Sequence, residues 1–549
     1  MSPITATPPR VRRLDVTPFE RRALVEPQPR RDFREPVAIF FISAIFFSVV
    51  GLWTTIGLSL VKGDAQSRLF HAYHVWANEP GKLTAIGFYW PPVQTLVLLP
   101  YAAVRELATS LAALPLMSAT FAGLLLVVLN GALESAGVTR PLRWLLLVAF
   151  GLNPMIFAYA TNGMGEIVYL SFLTFALYVF LRWVERPRWQ LLAVLGIAFA
   201  LGVLARYEVG FWFPIVAVGV VVVLLQRRAD GDRIEASLLA LTAPLVYALT
   251  LWTFVAWTIL DDPLGWLTIL IPKTRGEVEQ EGLVGIGEAV RSIASEQFGL
   301  FPLAFLLIPV VLVVAARRKS VAGYVLAGAL LVNFASSFAI LARSGNAVYL
   351  ELRYNMRALP IAVLAIAWLL STVPKRRRQV AALVAVAAVA LTIPVTAVTM
   401  LDNPRGDDGE WVRSVIDRTP SAHLAAAIDD EHDMATRIVA LGPQQSAVLT
   451  DDALTFGVLL FDGDPNRYFD RIDLGDKEWT KVRDAIFASG GPIGGVRYLL
   501  ITRSPGLIDE LVEPYPFLRT GPLPPFLHLL YRNNSYVLYE LRRRTSETG

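Results

Sequence analysis

The chain of 549 residues is 54% hydrophobic and only 17% charged, with a mean hydropathy of +0.50. Because soluble domains carry about a quarter charged residues, this composition excludes an ordinary soluble fold. The net charge of +4 comes from arginines grouped between apolar runs, which is typical of membrane topology signals and does not indicate nucleic-acid binding. The sequence has no cysteine, so disulfides, thiol nucleophiles and cysteine-ligated zinc are excluded.

The N-terminal segment, residues 1–35, is polar and arginine-rich and has no apolar periodicity. It predicts a disordered cytoplasmic tail. The apolar run from Pro36 to about Leu60 is too long for the core of a signal peptide and lacks a small-residue cleavage site. We therefore predict a first membrane span there, at the start of a transmembrane module over residues 36–400.

Since a membrane-spanning helix needs about 20 apolar residues, the sequence predicts about eleven spans. They lie near 37–60, 113–134, 142–160, 166–184, 189–205, 210–226, 236–259, 298–315, 321–342, 358–373 and 379–400. The arginine and lysine clusters between them fall on one side, which the positive-inside rule makes cytoplasmic. We predict an all-α polytopic protein of a bacterial cytoplasmic (inner) membrane, with its N-terminus cytoplasmic and its C-terminus outside.

The segment 91–107 is apolar but is interrupted by Pro100 and ends in Arg105 and Glu106. Counting it as a span would reverse every later loop and place the basic clusters outside. We therefore predict an amphipathic or re-entrant helix along the outer interface, within a first outer loop over residues 61–112. The charged segment 261–296 is a candidate lid on the same side.

From residue 401 to residue 549 the composition becomes that of a soluble domain. Short apolar runs alternate with helical patterns and turn signals, which favours a small extracytoplasmic α/β domain. Its strands are predicted in SAVLT, VRYLLIT and SYVLYEL, and its helices in SAHLAAAI, EWTKVRDAIFA and GLIDELVE. Neither a glycine-rich phosphate loop nor a metal-ligand cluster is evident, so a structural or acceptor-recognition role is favoured over independent catalysis.

The uncommon polar motifs near span ends all fall on the outer side, where a charge close to the membrane usually has a function. Asp64 follows the first span directly and could accept a proton from the hydroxyl of an attacking acceptor. The alternative is a structural role, either as a helix cap or as the i,i+4 partner of Arg68.

Arginines on the outer side offer bidentate donors to the negative charge of a departing phosphate. The alternative for each is a span-end arginine that extends to lipid headgroups or pairs with Glu208 or Glu351. The candidates for binding a donor phosphate are Arg206, Arg353, Arg357 and Arg68.

Other side chains on this face are candidates for binding substrate. Glu166 could bind donor hydroxyls or simply complement a helix dipole. His71 and His74 could hold a metal ion with Asp64 or Glu79, but packing among aromatic residues is favoured and no metal site is predicted. The predicted substrate-binding set is Glu166, Glu208, His71, Tyr354 and Trp90.

Taken in order, these motifs resemble the C-type (GT-C) glycosyltransferases, particularly those similar to protein O-mannosyltransferases and aminoarabinose transferases. The motifs are GDAQSR at 63–68, WPP at 90–92, NPMIFAYATNGMGEIVYL at 153–170, LARYE at 204–208, DDP at 261–263 and ELRYNMRALP at 351–360. The resemblance implies that Asp64 is the catalytic base and that Arg206 and Arg353 hold the phosphate of a polyprenyl-phosphate sugar donor, with inversion at the sugar.

The resulting hypothesis is a membrane glycosyltransferase that moves a hexosyl or pentosyl group from a polyprenyl-phosphate-linked sugar to an extracytoplasmic glycan, lipid or protein. Membrane lipid, the donor and the acceptor are its expected partners, and no cofactor is predicted beyond the donor substrate. A transporter or flippase of lipid-linked saccharides is the alternative, but it would favour charge inside the spans and internal repeats. A non-catalytic membrane scaffold would leave the outer arginines and Asp64 without a common target.

Overall fold

The computed structural model describes residues 33–88, 90–268, 285–344, 351–403, 407–442, 445–503 and 509–543. The predicted N-terminal tail lies almost entirely outside these ranges, and so does the middle of the predicted lid over residues 261–296, at residues 269–284.

Long apolar helices dominate the transmembrane module. Within the described ranges, eight are long and apolar enough to cross a membrane: Arg34–Gly57, Ala113–Ser135, Glu166–Glu185, Tyr207–Gln226, Gly231–Leu260, Val321–Phe338, Leu352–Thr372 and Lys375–Asp402. Their outer faces carry exposed large side chains such as Tyr247, Phe254 and Trp257, an apolar surface that lipid would cover. The predicted all-α polytopic fold is confirmed.

The remaining predicted spans differ from single long helices, and proline explains two of the differences. The stretch 142–160 is divided into Arg140–Gly151 and Pro154–Tyr159, with Asn153 as the cap of the second helix. Pro302 begins Pro302–Arg318, which meets the preceding helix at a bend of 95°. A proline disfavours helical backbone in the residue before it and cannot donate the helical hydrogen bond. The span near 189–205 is the shorter helix Trp189–Ala205.

The first outer loop begins with an α-helix over Gly63–Ala77, here called the first-loop helix, followed by a 3₁₀ turn over Leu83–Ile86. The amphipathic or re-entrant helix predicted over 91–107 is not one continuous helix, because three short helices take its place: Pro92–Leu96, Leu99–Ala102 and Arg105–Thr109. Residues 92–95 are buried, so this segment begins inside the protein and does not lie on its surface.

The C-terminal region contains helices and a five-stranded sheet. The strands are β1 (Val448–Thr450), β2 (Tyr468–Phe469), β3 (Tyr498–Thr502), β4 (Leu527–Arg532) and β5 (Tyr536–Leu541). They lie in the order β2-β1-β3-β5-β4. β1, β2 and β3 run parallel, whereas β5 is antiparallel to both β3 and β4. The main helices are Asp408–Asp417, Ala422–Val439, Asp452–Asp462 and Arg471–Ser489. The predicted α/β character is confirmed.

Alternate residues of the strands face opposite sides of this sheet, as strand geometry requires. Val448, Leu500 and Leu538 pack into a core that continues into the transmembrane module, whereas Leu449 and Leu499 pack into a separate core on the far face. The helix predicted in GLIDELVE is absent from its described part, residues 509–513, which form turns. The sheet therefore joins the membrane helices through one of its two faces.

Candidate active site

Asp64 lies in the first turn of the first-loop helix, where a carboxylate also complements the helix dipole. Its Oδ2 atom is 3.1 Å from Nη1 of Arg353, a residue 289 positions later in the chain. Burial opposes ionisation of Asp64, but the guanidinium groups of Arg353 and Arg68 outweigh it and hold the pKa of the carboxyl below its usual value. Its partner is therefore a distant arginine, and the local pair with Arg68 does not form.

Arg353 belongs to a short 3₁₀ turn, Leu352–Tyr354, that precedes the helix Ala358–Thr372. Its Nε atom is 2.6 Å from Oε2 of Glu351, so the pairing considered from the sequence is observed. The ring of Tyr354 lies 5.2 Å from the Arg353 guanidinium and 4.8 Å from that of Arg206. Tyr354 thus stands between two arginines that are far apart in sequence and contacts both through cation–π interactions.

Arg206 occupies the break between two apolar helices, in extended backbone conformation. Its Nη1 atom is 2.8 Å from Oε1 of Glu166, and its Nε atom is 3.1 Å from Oε1 of Glu208. Gln94 fixes the break by donating a hydrogen bond of 2.6 Å to the carbonyl oxygen of Ala205. The first outer loop therefore helps to hold Arg206 beside the site.

Arg68 and Arg357 are buried and form no ion pair with any residue in the described ranges. The Arg68 guanidinium lies 4.1 Å above the Trp90 ring, and the Arg357 guanidinium lies 5.3 Å from the Trp212 ring. Nε of Arg68 and Nη1 of Arg357 are buried, and neither has a hydrogen-bond acceptor among those residues. A buried cation without a counter-ion is costly, so both groups favour an anionic ligand.

The other predicted substrate-binding residues have different surroundings. Oε2 of Glu166 is buried and has no hydrogen-bond partner in the described part of the chain. Trp90 donates to Oγ of Ser67 at 3.3 Å. His71 lies one turn beyond Arg68, with Nδ1 3.0 Å from the carbonyl oxygen of Ala85. Its observed contacts are with the 83–87 turn, and its role in binding substrate stays a prediction.

A further cation beside the site, the partly buried Lys62, was missed in the sequence. Lys62 donates to Oδ1 of Asp408 at 2.8 Å, and the hydroxyl of Tyr159 donates to the same oxygen at 3.0 Å. Lys62 directly precedes the GDAQSR motif and could have been found as a charge at a span end. Asp408 could not, because no local pattern connects it with the first outer loop.

The grouping found among the described residues that could hold a metal ion does not include His71 or His74. It consists of Asp407, Glu410 and His423, whose ligand atoms lie within 4.8 Å of one another. This grouping was not evident in the C-terminal sequence. His74 is instead fully buried, with its ring 4.0 Å from that of Phe70.

The fold is similar to that of solved membrane enzymes. A crystal structure of ArnT from Cupriavidus metallidurans bound to undecaprenyl phosphate is 12% identical and matches over 92% of this chain and 97% of that chain, with a TM-score of 0.54. The apo form of ArnT is 11% identical and matches over 92% and 98%, with the same TM-score of 0.54. AglB from Archaeoglobus fulgidus, in complex with an inhibitory peptide and a dolichol-phosphate, is 13% identical and matches over 86% and 70%, with a TM-score of 0.48.

No protein-family model matches the chain, and no curated protein sequence matches it. At such low identities the likeness to ArnT concerns the architecture alone, and it extends over nearly the full length of both chains. The chain therefore shares the fold of ArnT, which agrees with the fold implied by the resemblance of its sequence motifs.

Proposed function

We propose that this chain is a membrane glycosyltransferase that moves a sugar from a polyprenyl-phosphate donor to an extracytoplasmic glycan, lipid or protein. In this proposal Asp64 is the general base, and the donor phosphate is held by Arg206, Arg353, Arg357 and Arg68. The acceptor oxygen attacks the anomeric carbon, its proton passes to Asp64, and the sugar–phosphate bond breaks to release polyprenyl phosphate.

The observation that carries the proposal is the contact between the candidate base and the candidate phosphate-binding group. Asp64 touches Arg353, Arg353 shares the Tyr354 ring with Arg206, and Arg357 donates through Nε to the Tyr354 carbonyl at 2.9 Å. Arg68, with its unpaired Nε atom, lies on the same helix as Asp64. One site thus combines a carboxylate with four guanidinium groups, two of which, those of Arg68 and Arg357, are buried and form no ion pair within the described ranges.

The ion pair between Asp64 and Arg353 suggests how donor binding prepares the base. In the free protein Arg353 keeps Asp64 ionised but weakly basic. A phosphate that binds Arg353 competes with Asp64 for the same guanidinium and adds negative charge nearby. Both effects raise the pKa of Asp64, so the carboxylate becomes a better proton acceptor when the donor is in place.

The proposal includes the domain organisation and the topology expected from the sequence: a cytoplasmic tail over 1–35, a transmembrane module over 36–400 and an extracytoplasmic domain over 401–549. Contacts among the basic loop residues support this orientation. Arg182 bonds to Ser135, and Gln379, beside the 375–378 cluster, bonds to Gly137. These predicted cytoplasmic turns thus meet one another, whereas the first-loop helix meets the C-terminal domain.

The test is donor consumption by the purified protein across a panel of polyprenyl-phosphate sugars, with solubilised cell envelope as a source of acceptors. Asp64→Asn is compared with the parent and with Glu79→Gln, which neutralises an exposed carboxylate beyond the other end of the first-loop helix. Loss of a general base lowers kcat by about 100- to 10,000-fold. We expect that loss for Asp64→Asn and unchanged turnover for Glu79→Gln.

The outcomes separate this proposal from the other functions considered. Turnover that survives Asp64→Asn removes Asp64 as the base. If no donor is consumed while labelled lipid-linked sugar crosses proteoliposome membranes, the protein is a transporter. If neither activity is found, the non-catalytic scaffold is favoured.

A further inference from the structure

The C-terminal domain contacts the first-loop helix along its whole length. Near the start of the helix, Gln66 donates to Oε2 of Glu431 at 2.6 Å. Further along, the hydroxyl of Tyr73 donates to the carbonyl oxygen of Gly463 at 2.8 Å. At the far end, Asn466 donates to the carbonyl oxygen of Ala77 at 3.2 Å. The helix that carries Asp64 is therefore held by residues from the last third of the chain.

Of these three contacts, the one made by Glu431 is nearest to the proposed base. It is buried in the helix Ala422–Val439, and its other oxygen, Oε1, accepts a hydrogen bond from Tyr536 at 3.4 Å. Gly457 packs against it so closely that a Cβ atom there would collide with the Glu431 carboxyl group. The Glu431 side chain is buried, and this burial raises the pKa of its carboxyl to about 7 despite these hydrogen bonds.

Gln66 lies between Asp64 and Arg68 in the first turns of the helix. No side chain caps the start of this helix, because the N-cap position is Lys62 and it makes no capping hydrogen bond. Helix ends without caps tend to fray, and tertiary contacts then decide their position. The bond between Gln66 and Glu431 holds this uncapped first turn from outside.

We propose that Glu431 is a positioning residue for catalysis, acting through Gln66 to fix Asp64 against Arg353. This inference rests on the proposed function, because positioning has a kinetic meaning only if Asp64 acts in turnover. It assigns the C-terminal domain a defined part in the reaction without placing any of its side chains on the substrate.

The first test compares Glu431→Ala with Glu431→Gln, using Asn466→Ala as a matched control. Glutamine keeps an oxygen that can accept from Gln66, whereas alanine does not. Asn466→Ala removes a contact between the same domain and the same helix, but at the end far from Asp64. Because small displacements of a reacting group can cost about 100-fold in rate, we expect Glu431→Ala to lower kcat by about 10- to 100-fold.

The donor KM should change less than about twofold in Glu431→Ala, since most of the phosphate-binding arginines lie on other elements. Glu431→Gln and Asn466→Ala should keep kcat near the parent value. A loss of the same size in Glu431→Gln, or in Asn466→Ala, would overturn the inference and indicate a general docking role. If Glu431→Ala does not fold, Gln66→Ala removes the same hydrogen bond from the other side and is expected to give the same loss of kcat.

Hydrogen exchange of the backbone amides of residues 63–68 supplies a readout independent of turnover. We expect exchange there to be faster in Glu431→Ala and unchanged in Asn466→Ala. Unchanged exchange in Glu431→Ala overturns the inference whether or not the protein is active. A parent protein that consumes no donor refutes the proposed function separately, whatever the exchange shows.

Discussion

Replacing Asp64 with asparagine is expected to strengthen the binding of polyprenyl phosphate, although it removes the proposed base. Asp64 competes with the lipid phosphate for Arg353, and Oδ2 lies 3.1 Å from Nη1. The Asp64 side chain is 37% exposed, so water screens this ion pair. In fully screened surroundings the Coulomb energy at this distance is about 1.3 kcal/mol. Its removal should therefore increase affinity by about tenfold.

This prediction can be measured by titrating polyprenyl phosphate into purified protein in detergent. Trp90 and Trp212 stack on Arg68 and Arg357, so their fluorescence should report occupancy of the site. Arg353→Ala should weaken binding, because it removes the guanidinium that Asp64 and the phosphate share. If folded Asp64→Asn binds polyprenyl phosphate no more tightly than the parent does, Asp64 and the phosphate do not compete for the Arg353 guanidinium.

Three further predictions follow from the same geometry. Arg353 lowers the pKa of Asp64 only until phosphate binds. The pH profile of kcat/KM reports the free enzyme and that of kcat reports the donor complex, so activity should fall at a higher pH on the acid side of the kcat profile. Acid limbs at the same pH in both profiles would contradict this. Arg357→Lys should lower kcat/KM by about 10- to 100-fold, since the single nitrogen of lysine cannot replace two separate guanidinium nitrogens, one bonded to the Tyr354 carbonyl and one available to the phosphate. Unchanged steady-state kinetics would refute the role. Burial raises the pKa of Glu431 to about 7 from 4.5, so the folded parent protein loses stability as pH rises through that interval. Glutamine does not titrate, so the Tm of Glu431→Gln minus the Tm of the parent should increase from pH 5 to pH 8. A difference that stays constant would exclude this titration.

Hydropathy predicted most of the membrane helices because lipid imposes the same length and apolarity on each of them. It failed where the chain breaks inside an apolar stretch. Pro154 and Pro302 were visible in the sequence, but apolar length alone does not distinguish a continuous span from two helices joined at a proline. The segment after Trp90 was expected as one helix, and the sequence did not show that its first residues, 92–95, are buried within the protein.

The candidate site was predictable as a set of residues on one side of the membrane, but its pairings were not. Sequence spacing offered a local pair between Asp64 and Arg68 as an alternative, whereas the structure pairs Asp64 with Arg353. The pairs of Arg206 with Glu208 and of Arg353 with Glu351, also considered as alternatives, are observed, because these partners are close in sequence. Long-range pairs depend on helix packing, which leaves no mark in a single sequence.

The distance along the chain between the first-loop helix and its partners has a consequence for biosynthesis. The first span and its outer loop leave the ribosome hundreds of residues before Asp408, Glu431 and Asn466 are made. Contacts of such long sequence separation form late in folding. The first loop therefore remains without these packing partners until the last third of the protein has been synthesised, and the site is assembled only then.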